Sequence, residues 1–437
     1  MTKREAAIKI LECLQIAGYE AYFVGGCVRD EMRGVTPQDY DLATNARPED
    51  VESLFPKTLE VGKRFGVVLV LWEGWQFEVA TFRSEEGYYD GRRPSKVRYS
   101  DVKTDASRRD FTVNGLFFDP LTDKIYDWVN GQSDLKSSTL RSIGDPIERF
   151  REDNLRLLRA VRFAAQLDYE IESDTFSALK AHASLIKNVS AERVRNELCS
   201  LFRPPHAARG LDLLLQSRLL GYLLPELIPT IDCDQSPDFH PEGSVYNHIR
   251  MMLSIMPKDH HHLLPWTILL HDIAKPQTRS IDGDGRIHFY GHEKIGAKIS
   301  ESVLKRLRFS KADIECVVQT VYYHMQFKDS KKMRKATLRK MLLRPNFDLE
   351  LQQHRLDCLG SHGKLDIYEF LCEQRSLLKA KPVLFTPLVN GEDLIQLGLK
   401  PSPLMGELLG EIRDKQLSEE ITTREAALAW VKEKAAL

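Results

Sequence analysis

The apolar and polar positions follow two different patterns along the chain. Between residues 21 and 126, short runs rich in aromatic and β-branched residues ("AYFV", "FGVVLVLW", "FEVATFR", "LFFDP") alternate with Gly, Pro, Asp and Asn, which predicts strands and turns. From "ERFREDNLRLLRAVRFAAQL" onward, apolar residues such as Leu158 and Val161 recur at helical spacing. The pattern therefore predicts an α+β protein, with a mixed α/β head followed by an elongated all-α body.

Two stretches containing Pro or Gly interrupt the helical part, one after about residue 231 and one near residue 382. With 437 residues, the chain also exceeds the roughly 250–300 residues at which a single core stops growing. We therefore predict four parts: a head over 1–145, a helical neck over 146–230, a His-rich helical body over 231–380 and a helical tail over 381–437.

Composition narrows the class of protein without identifying it. The formal net charge is −1, so an RNA-binding surface would have to be a local basic patch. The N-terminal stretch lacks the apolar run of a signal peptide, and charges or prolines interrupt the most apolar later window. Seven scattered cysteines without a C-x-x-C pair predict free thiols in a reducing compartment. We expect a cytoplasmic protein with no membrane partner.

The stretch "VGGCVRDEMRGVTPQDYDLAT" contains the first candidate chemistry. Asp39 and Asp41 are two residues apart, so in a strand their carboxylates would face the same side. Such oxygen ligands suit Mg²⁺, which is usually completed by water and substrate phosphates. Gly25 and Gly26 allow close approach of backbone to a phosphate, and Arg29 adds a cation. A turn with two solvated aspartates is the alternative for an isolated D-x-D.

A third carboxylate would complete a site in which two metal ions act on the attacking and leaving oxygens. Glu78, in the strand-like "QFEVATFR", is the best candidate. The alternative is a surface glutamate on an exposed strand face.

Four segments in order, "GGCVRDEMRGVTPQDYDLAT", "EVATFRSEEGYYDGRRPSKV", "RRDFTVNGLFFDP" and "REDNLRLLRAVRFAAQL", resemble the motifs of class II tRNA nucleotidyltransferases. This is the CCA-adding family, which shares its head with bacterial poly(A) polymerases. The resemblance implies a nucleotidyltransferase-fold head in which Asp39 and Asp41 bind catalytic Mg²⁺, supported by Glu78. It further implies that Arg109, Asp110 and Asn114 contact the nucleotide. The segment with Tyr88, Tyr89, Gly91, Arg92 and Arg93 resembles the family's flexible loop for switching from C to A addition.

The neck segment "EDNLR" suggests how bases are selected. Asp153 and Arg156, three residues apart, would be neighbours on one helix face, where the simplest interpretation is an intrahelical ion pair. Facing a nucleobase instead, the carboxylate can accept from the amino group of cytosine or adenine while the guanidinium donates to the adjacent ring nitrogen. The family resemblance assigns the pair this templating role. Arg159 and Arg162 are further candidates for nucleotide binding.

The body supplies a second ligand set. Six residues resemble the H…HD…H…H…D order of HD-domain phosphohydrolases: His248, His271, Asp272, His292, His324 and Asp357. Imidazole and carboxylate together suit a transition metal such as Mn, Fe, Ni or Zn better than Mg²⁺. The resemblance leaves open whether this domain is an active phosphohydrolase or a structural version.

The resulting hypothesis is a metal-dependent nucleotidyltransferase that adds C, C and A from CTP and ATP to the 3′ end of tRNA. The tail resembles the C-terminal helical module of bacterial CCA-adding enzymes, which implies contact with folded tRNA. Two alternatives remain open. One is an enzyme that uses ATP only, as a terminal-A-adding enzyme or a poly(A) polymerase. The other is an HD-type phosphohydrolase whose head binds RNA.

Overall fold

The computed structural model describes residues 1–59, 66–88, 91, 94–236, 240–380, 384 and 386–435. The predictions for Tyr89, Arg92 and Arg93 and the break near Pro382 lie outside these residues. The chain forms two compact units, Met1–Pro225 and Glu226–Leu437. Among the described residues, no helix is both long and apolar enough to cross a membrane.

The first unit contains the mixed sheet predicted for the head. The strands of this unit are β1 (Ala21–Val24), β2 (Asp41–Thr44), β3 (Thr58–Leu59), β4 (Val67–Trp72), β5 (Trp75–Thr81), β6 (Arg83–Tyr88), β7 (Pro94–Tyr99), β8 (Phe117–Asp119), β9 (Lys124–Tyr126), β10 (Thr139–Leu140) and β11 (Glu170–Ile171). Seven of them form one sheet in the order β3-β4-β5-β2-β1-β8-β9, and only the β2–β5 pair in this sheet is parallel. The four strand-like runs of the sequence correspond to β1, β4, β5 and β8.

The helices of this unit include those that pack against the sheet and those of the neck. They are α1 (Lys3–Ile16), α2 (Gly26–Met32), α3 (Pro48–Leu54), α4 (Val102–Ser107), α5 (Gly131–Lys136), α6 (Pro146–Glu152), α7 (Arg156–Leu167), α8 (Ser173–His182), α9 (Ala191–Leu201), α10 (Ala207–Gln216) and α11 (Leu220–Leu223). Helix α1 begins with a capping box between Thr2 and Glu5. Its Ile10 and Leu14 are fully buried in the same core as Phe77 of β5.

The predicted neck helix is interrupted within the "EDNLR" segment. Helix α6 ends at Glu152, the backbone of Asp153 is extended (φ −134°, ψ 104°), and α7 begins at Arg156. The expectation that Asp153 and Arg156 share one helix face is therefore wrong. Because Asp153 leaves the helical conformation, its carboxylate is not restricted to the i, i+3 geometry that an intrahelical ion pair requires.

The second unit is almost entirely helical, as predicted. Its helices are α12 (Val245–Ser254), α13 (Leu264–Leu270), α14 (Lys275–Thr278), α15 (His292–Arg306), α16 (Lys311–Tyr323), α17 (Lys335–Leu342), α18 (Phe347–Gly360), α19 (Asp366–Lys379), α20 (Gly391–Gln396), α21 (Pro403–Ser418) and α22 (Arg424–Lys434). A single described hairpin joins β12 (Ser280–Ile281) to β13 (Ile287–His288). Short 3₁₀ segments occur at Thr112–Asn114, Ala183–Asn188, Pro225–Thr230 and His324–Lys332.

Candidate active site and histidine-rich centre

Carboxylates of two neighbouring strands meet at one edge of the sheet. Leu42 of β2 pairs in parallel with Val79 of β5, so Asp41 and Glu78 occupy equivalent positions one residue earlier. In β5 the neighbours of Glu78 are buried while Glu78 is exposed, because successive side chains point to opposite faces. The two carboxylates therefore lie side by side on one face of the sheet, where both are accessible to solvent.

Asp39 reaches this group from outside the strand. We expected both aspartates in one strand, but β2 begins at Asp41, and its ladder with β1 ends at the pair Val24↔Asp41. Beyond Val24 the first strand turns at Gly25, so residue 39 has no partner strand. The strand-based expectation for Asp39 is therefore wrong. Asp39 is 78% exposed and forms an ion pair with Lys3.

The electrostatics of this carboxylate group favour a bound cation. Although Asp41 remains accessible to solvent, surrounding protein partly desolvates its carboxylate, and Glu78 and Asp39 add like charge; together they raise the pKa of Asp41 to about 6. A divalent cation would remove this repulsion, and carboxylate oxygens are the ligands that Mg²⁺ prefers. The residues therefore fit the metal that the sequence predicts.

A tight glycine turn opens a cavity next to Asp41. Gly25 has a φ of +74°, and a Cβ atom at this position would lie 3.3 Å from Nη1 of Arg109, so a larger residue would strain both backbone and packing. The cavity has a volume of about 450 Å³. It is lined by Gly25, Gly26, Arg29, Asp41, Arg108, Arg109, Asp110, Asn114, Asp153, Arg156, Arg159 and Phe163.

Five of the lining residues are arginines, and each is held in place by a protein partner. Arg29 donates to Asn114 (2.6 Å) and Asp30 (2.9 Å). The other partners are Asp105 for Arg108 and Arg109, Glu152 for Arg156, and Asp110 for Arg159. Such pairing fixes donor positions before a ligand arrives. Lining arginines outnumber lining aspartates by five to three, which suits an anionic ligand.

Asp110 is the buried anchor of this arrangement. It accepts from Nη2 of Arg159 at 2.6 Å and from Nδ2 of Asn114 at 3.1 Å. Burial alone would raise the pKa of Asp110, but the charge of Arg159 and these hydrogen bonds outweigh burial and lower it to about 2. Asp110 is therefore ionised at neutral pH.

The structure brings most of the predicted nucleotide-binding residues to the cavity, with one exception. Arg162 is absent from its lining and instead donates to Glu197 (2.5 Å) and Gln166 (2.9 Å). Sequence reasoning missed Arg108 of the lining and its anchor Asp105. Both lie in the charge-rich "DASRRD", in which no spacing distinguishes a cavity residue from a solvated one.

Sequence reasoning also missed the partner of Asp153. Arg193 of α9 forms two parallel hydrogen bonds with this carboxylate, at 3.0 Å and 2.7 Å, while Arg156 pairs with Glu152 at 2.6 Å. Two fork-to-carboxylate bonds fix the orientation of Asp153. Forty residues separate the partners, so no local sequence signal links them.

The second unit gathers all six predicted HD-type residues. His248 and Asp357 lie on α12 and α18, whereas His271, Asp272, His292 and His324 lie at helix ends. The ligand atoms form two groups within 4.8 Å, His248 with His271 and Asp357, and Asp272 with His292 and His324. His240, Glu242 and His248 form a third such group, whose first two members were not predicted.

Hydrogen bonds fix the proton positions of the histidines. Nδ1 of His271, His292 and His324 faces a backbone carbonyl oxygen at 2.9, 2.7 and 2.6 Å. A carbonyl oxygen only accepts, so each Nδ1 carries a proton and Nε2 is the ring atom left to bind a metal. Nδ1 of His248 faces Glu242 in the same way at 2.6 Å.

The Nε2 atoms converge on the two aspartates. Nε2 of His292 and Nε2 of His324 are 3.1 Å apart, which brings two lone pairs together unless a cation lies between them. Nε2 of His248 and of His271 are also buried without a hydrogen bond of good geometry. Burial lowers the pKa of His324 to about 3, so this ring stays neutral and able to bind a metal. The nitrogen and oxygen donor set fits a transition metal.

Comparisons with protein families first define the class of protein to which the chain belongs. Three family descriptions match in order: "Poly A polymerase head domain" at residues 21–141, "Probable RNA and SrmB- binding site of polymerase A" at 168–230, and "HD domain" at 244–351. A nucleotidyltransferase head is thus followed by an RNA-binding segment and an HD domain.

Similar proteins then identify the family. The CCA-adding enzyme of Ligilactobacillus salivarius is 33% identical over 411 residues, which cover 93% of this chain and 90% of that enzyme. The CCA-adding enzyme of Streptococcus pyogenes serotype M3 is 30% identical over 430 residues, covering 97% and 96%. The chain belongs to the family of CCA-adding enzymes, which are metal-dependent nucleotidyltransferases.

Solved structures agree with this assignment. The Bacillus stearothermophilus CCA-adding enzyme in complex with CTP has a TM-score of 0.75 and 26% identity, with coverage of 100% of this chain and 98% of that one. The Thermotoga maritima CCA-adding enzyme complexed with tRNA shares the fold, with a TM-score of 0.58, 18% identity, and coverage of 98% and 94%.

Proposed function

We propose that this protein adds C, C and A to the 3′ end of tRNA, using CTP and ATP. The observation that carries the proposal is one cavity of about 450 Å³ that combines Asp41, a glycine turn and the pair Asp153 and Arg156. Neighbouring carboxylates, clamped arginines and a base-reading pair are the parts that nucleotide transfer to RNA requires.

We assign the reacting groups to the carboxylate edge. The tRNA 3′-oxygen attacks the α-phosphorus, a new P–O bond forms, the bond to the bridging oxygen of the β-phosphate breaks, and pyrophosphate leaves. Asp39 and Asp41 would hold Mg²⁺, with Glu78 beside them. When bound, Mg²⁺ supplies charge stabilisation at the α-phosphate and favours ionisation of the 3′-hydroxyl.

The arginines and the glycine turn would bind the triphosphate. Arg29, Arg109 and Arg159 already have carboxylate or amide partners, so the protein loses little side-chain freedom when phosphate oxygens arrive. The positive φ of Gly25 lets backbone approach the ligand closely. These residues would contact the triphosphate, which CTP and ATP have in common.

Asp153 and Arg156 would read the base. The carboxylate accepts from the exocyclic amino group of cytosine or adenine, and Arg156 donates to the adjacent ring nitrogen. Uracil and guanine present a carbonyl oxygen to Asp153, so their binding would place two acceptors against each other without a hydrogen bond. Arg193 would act as a positioning residue, since it holds the carboxylate that faces the base.

Three tRNA transcripts test the proposal: one ending before CCA, one after the first C and one after CC, each incubated with a single NTP. We expect CTP to extend the first two and ATP to extend the third. An enzyme that extends only the third transcript, or that adds long A tails to all three, would contradict C addition.

A second activity is favoured by the histidine-rich centre. We propose that the HD-type body binds a transition metal and hydrolyses a phosphoester such as a 2′,3′-cyclic phosphate, which would prepare an RNA end for extension. The convergence of four Nε2 atoms on Asp272 and Asp357 supports metal binding. Lys275, which contacts Asp272 at 2.7 Å, adds a cation to the same cavity.

The double variant His271→Ala/Asp272→Ala tests this second activity. We expect loss of Mn- or Ni-dependent phosphatase activity, with nucleotide addition retained. His262→Ala, at a histidine that is 72% exposed, is the matched control. A protein that binds no transition metal after supplementation and has no phosphatase activity would contradict the second function.

A further inference from the structure

The cavity at the histidine-rich centre is larger than the cluster of metal-ligand candidates. Its volume is about 610 Å³, which is in the range of small-molecule sites. Besides Asp272, His292, His324 and Asp357, its lining includes aromatic and aliphatic side chains outside the groups of metal-ligand candidates. These are Ile287, Phe289, Tyr290, Met325 and Ile367. The cavity therefore offers an apolar wall next to the proposed metal centre.

Tyr290 is the most unusual part of this wall, because 77% of a large aromatic residue is exposed. Its ring stacks on His288, with centroids 5.1 Å apart and planes 10° from parallel. One ring face is thus covered by His288, and the exposure leaves the other face open. A planar group could stack there without displacing any protein contact.

The stacking pair is held by the β12–β13 hairpin. Nε2 of His288 lies 2.8 Å from Asp282, and the same aspartate accepts from the backbone N–H of Asp284 and Arg286. His288 is therefore anchored to the turn of its own hairpin. This anchoring orients the His288 ring on which Tyr290 stacks, so ligand binding would not incur the entropy cost of ordering that ring.

The charges of the lining favour an anion. Asp272 and Asp366 are each paired with a lysine, Lys275 and Lys331, and Asp357 faces Nε2 of His248 at 3.1 Å. Lys328 and Lys364 also line the cavity, and neither side chain forms an ion pair with another residue in the described part of the chain. The two lysines next to an open aromatic ring face suit a ligand that carries both a phosphate and a planar base.

We propose that this cavity binds a nucleoside monophosphate unit, with the base stacked on Tyr290 and the phosphate directed to the metal centre and the two lysines. The inference rests on the proposed phosphohydrolase function only for the fate of the phosphate, because binding requires no hydrolysis. Stacking does not distinguish bases, so adenine and cytosine would both be accepted. The occupant could be a free nucleotide or the last nucleotide of an RNA, which share this chemistry.

Titration calorimetry of the full chain tests the base subsite, with AMP and ribose 5-phosphate as probes that differ only in the base. Tyr290→Ala should weaken AMP binding by roughly 5- to 150-fold, the range for loss of one base–aromatic stack, and leave ribose 5-phosphate binding unchanged. Tyr290→Phe should retain AMP affinity. The head also has a cavity that is proposed to bind nucleotides, so AMP can bind at two places. The difference in AMP affinity between the wild-type protein and the Tyr290 variants therefore measures binding at the second cavity. Equal AMP affinity in all three proteins, with unchanged thermal unfolding, would overturn the proposal.

Two further measurements separate this proposal from the phosphohydrolase function. Tyr290-dependent AMP binding by a protein that hydrolyses no phosphoester would keep the subsite and reject the enzymatic function. Hydrolysis with AMP affinity that is insensitive to Tyr290 would keep the function and reject the subsite. An oligoadenylate with a 3′-phosphate distinguishes the source: Tyr290-dependent binding of this RNA would identify an RNA end as the occupant, and Tyr290-dependent binding of AMP alone would identify a free nucleotide.

Discussion

The head and the histidine-rich body present their candidate metal ligands in opposite ways. In the head, Asp39 and Glu78 are exposed carboxylates, and partial desolvation together with their like charges raises the pKa of Asp41. In the body, Asp272 and its histidines are buried, and hydrogen bonds to backbone carbonyls set the proton positions in advance. One site is open and made of oxygen ligands, whereas the other is enclosed and rich in nitrogen.

This difference indicates when each metal would bind. Mg²⁺ keeps several waters and is usually completed by substrate phosphates, so an exposed carboxylate group suits an ion that arrives with the nucleotide. A buried histidine cluster with preset tautomers suits a transition metal that stays in the protein between turnovers. The two sites should therefore respond independently to mutation and to removal of metal.

Asp41→Asn gives the largest expected effect. The amide keeps the shape but removes the charge at the edge of β2, so we expect addition of every nucleotide to fall by at least roughly 100-fold, the scale for losing one strong electrostatic stabiliser. Transition-metal content should not change. Single-turnover addition to a tRNA transcript ending in CC measures the first effect, and elemental analysis measures the second. Asp174→Asn, at an exposed first-turn residue of α8, is the matched control. Near wild-type turnover with Mg²⁺ would remove Asp41 from the mechanism.

Chelation tests the same comparison without mutation. Brief treatment with EDTA should abolish nucleotide addition, and Mg²⁺ alone should restore it, because the exposed carboxylates exchange their ion readily. Prolonged treatment should be needed to strip the body, and Mn²⁺ or Ni²⁺ rather than Mg²⁺ should restore its phosphatase activity. Recovery of both activities with Mg²⁺ would contradict the distinction between the two sites.

Sequence patterns predicted the parts of the molecule that local chemistry determines. The segment "QFEVATFR" predicted a strand around Glu78, and the two-residue period of β5 places Glu78 on the face opposite Phe77. This strand could be predicted because it depends mainly on its own segment. The histidine cluster joins residues as far apart as His248 and Asp357, and it was expected only from the resemblance to HD-domain proteins.

Predictions failed where partners far apart in sequence determine the geometry. Asp153 lies in a break between two helices and is bound by Arg193, forty residues away. Asp39 lies outside β2 because the partner strand ends at Val24. Arg162 faces Glu197 on another helix and does not line the cavity. Helical periodicity gives the face of a residue but not which side chain of another helix it meets.

Arg156→Ala gives an intermediate effect and tests base selection in the head. Its proposed partner is the base edge, so misincorporation of UTP and GTP relative to CTP and ATP should rise by roughly 5- to 150-fold, the scale of one good base contact. Triphosphate binding should change less. Arg193→Lys, which keeps the charge but loses the two parallel bonds to Asp153, should raise misincorporation by a smaller factor. Unchanged discrimination in the Arg156 variant, with efficient C and A addition, would reject the templating role.

The smallest expected effect concerns the stability of the head against acid. The folded-state pKa of Asp110 is lowered to about 2 from its ordinary value of 3.8, so Asp110 contributes stability that is fully present above about pH 5 and lost as pH falls toward 2. Because Arg159 is 31% exposed, we expect only about 1 to 2 kcal/mol from this pair. Urea unfolding of the wild-type protein and of Asp110→Asn, followed between pH 7 and pH 3, should show midpoints that differ most at pH 7 and converge at low pH. Asp174→Asn should show no such convergence. A gap that stays constant with pH would mean that the Asp110 variant acts through lost packing rather than through lost charge.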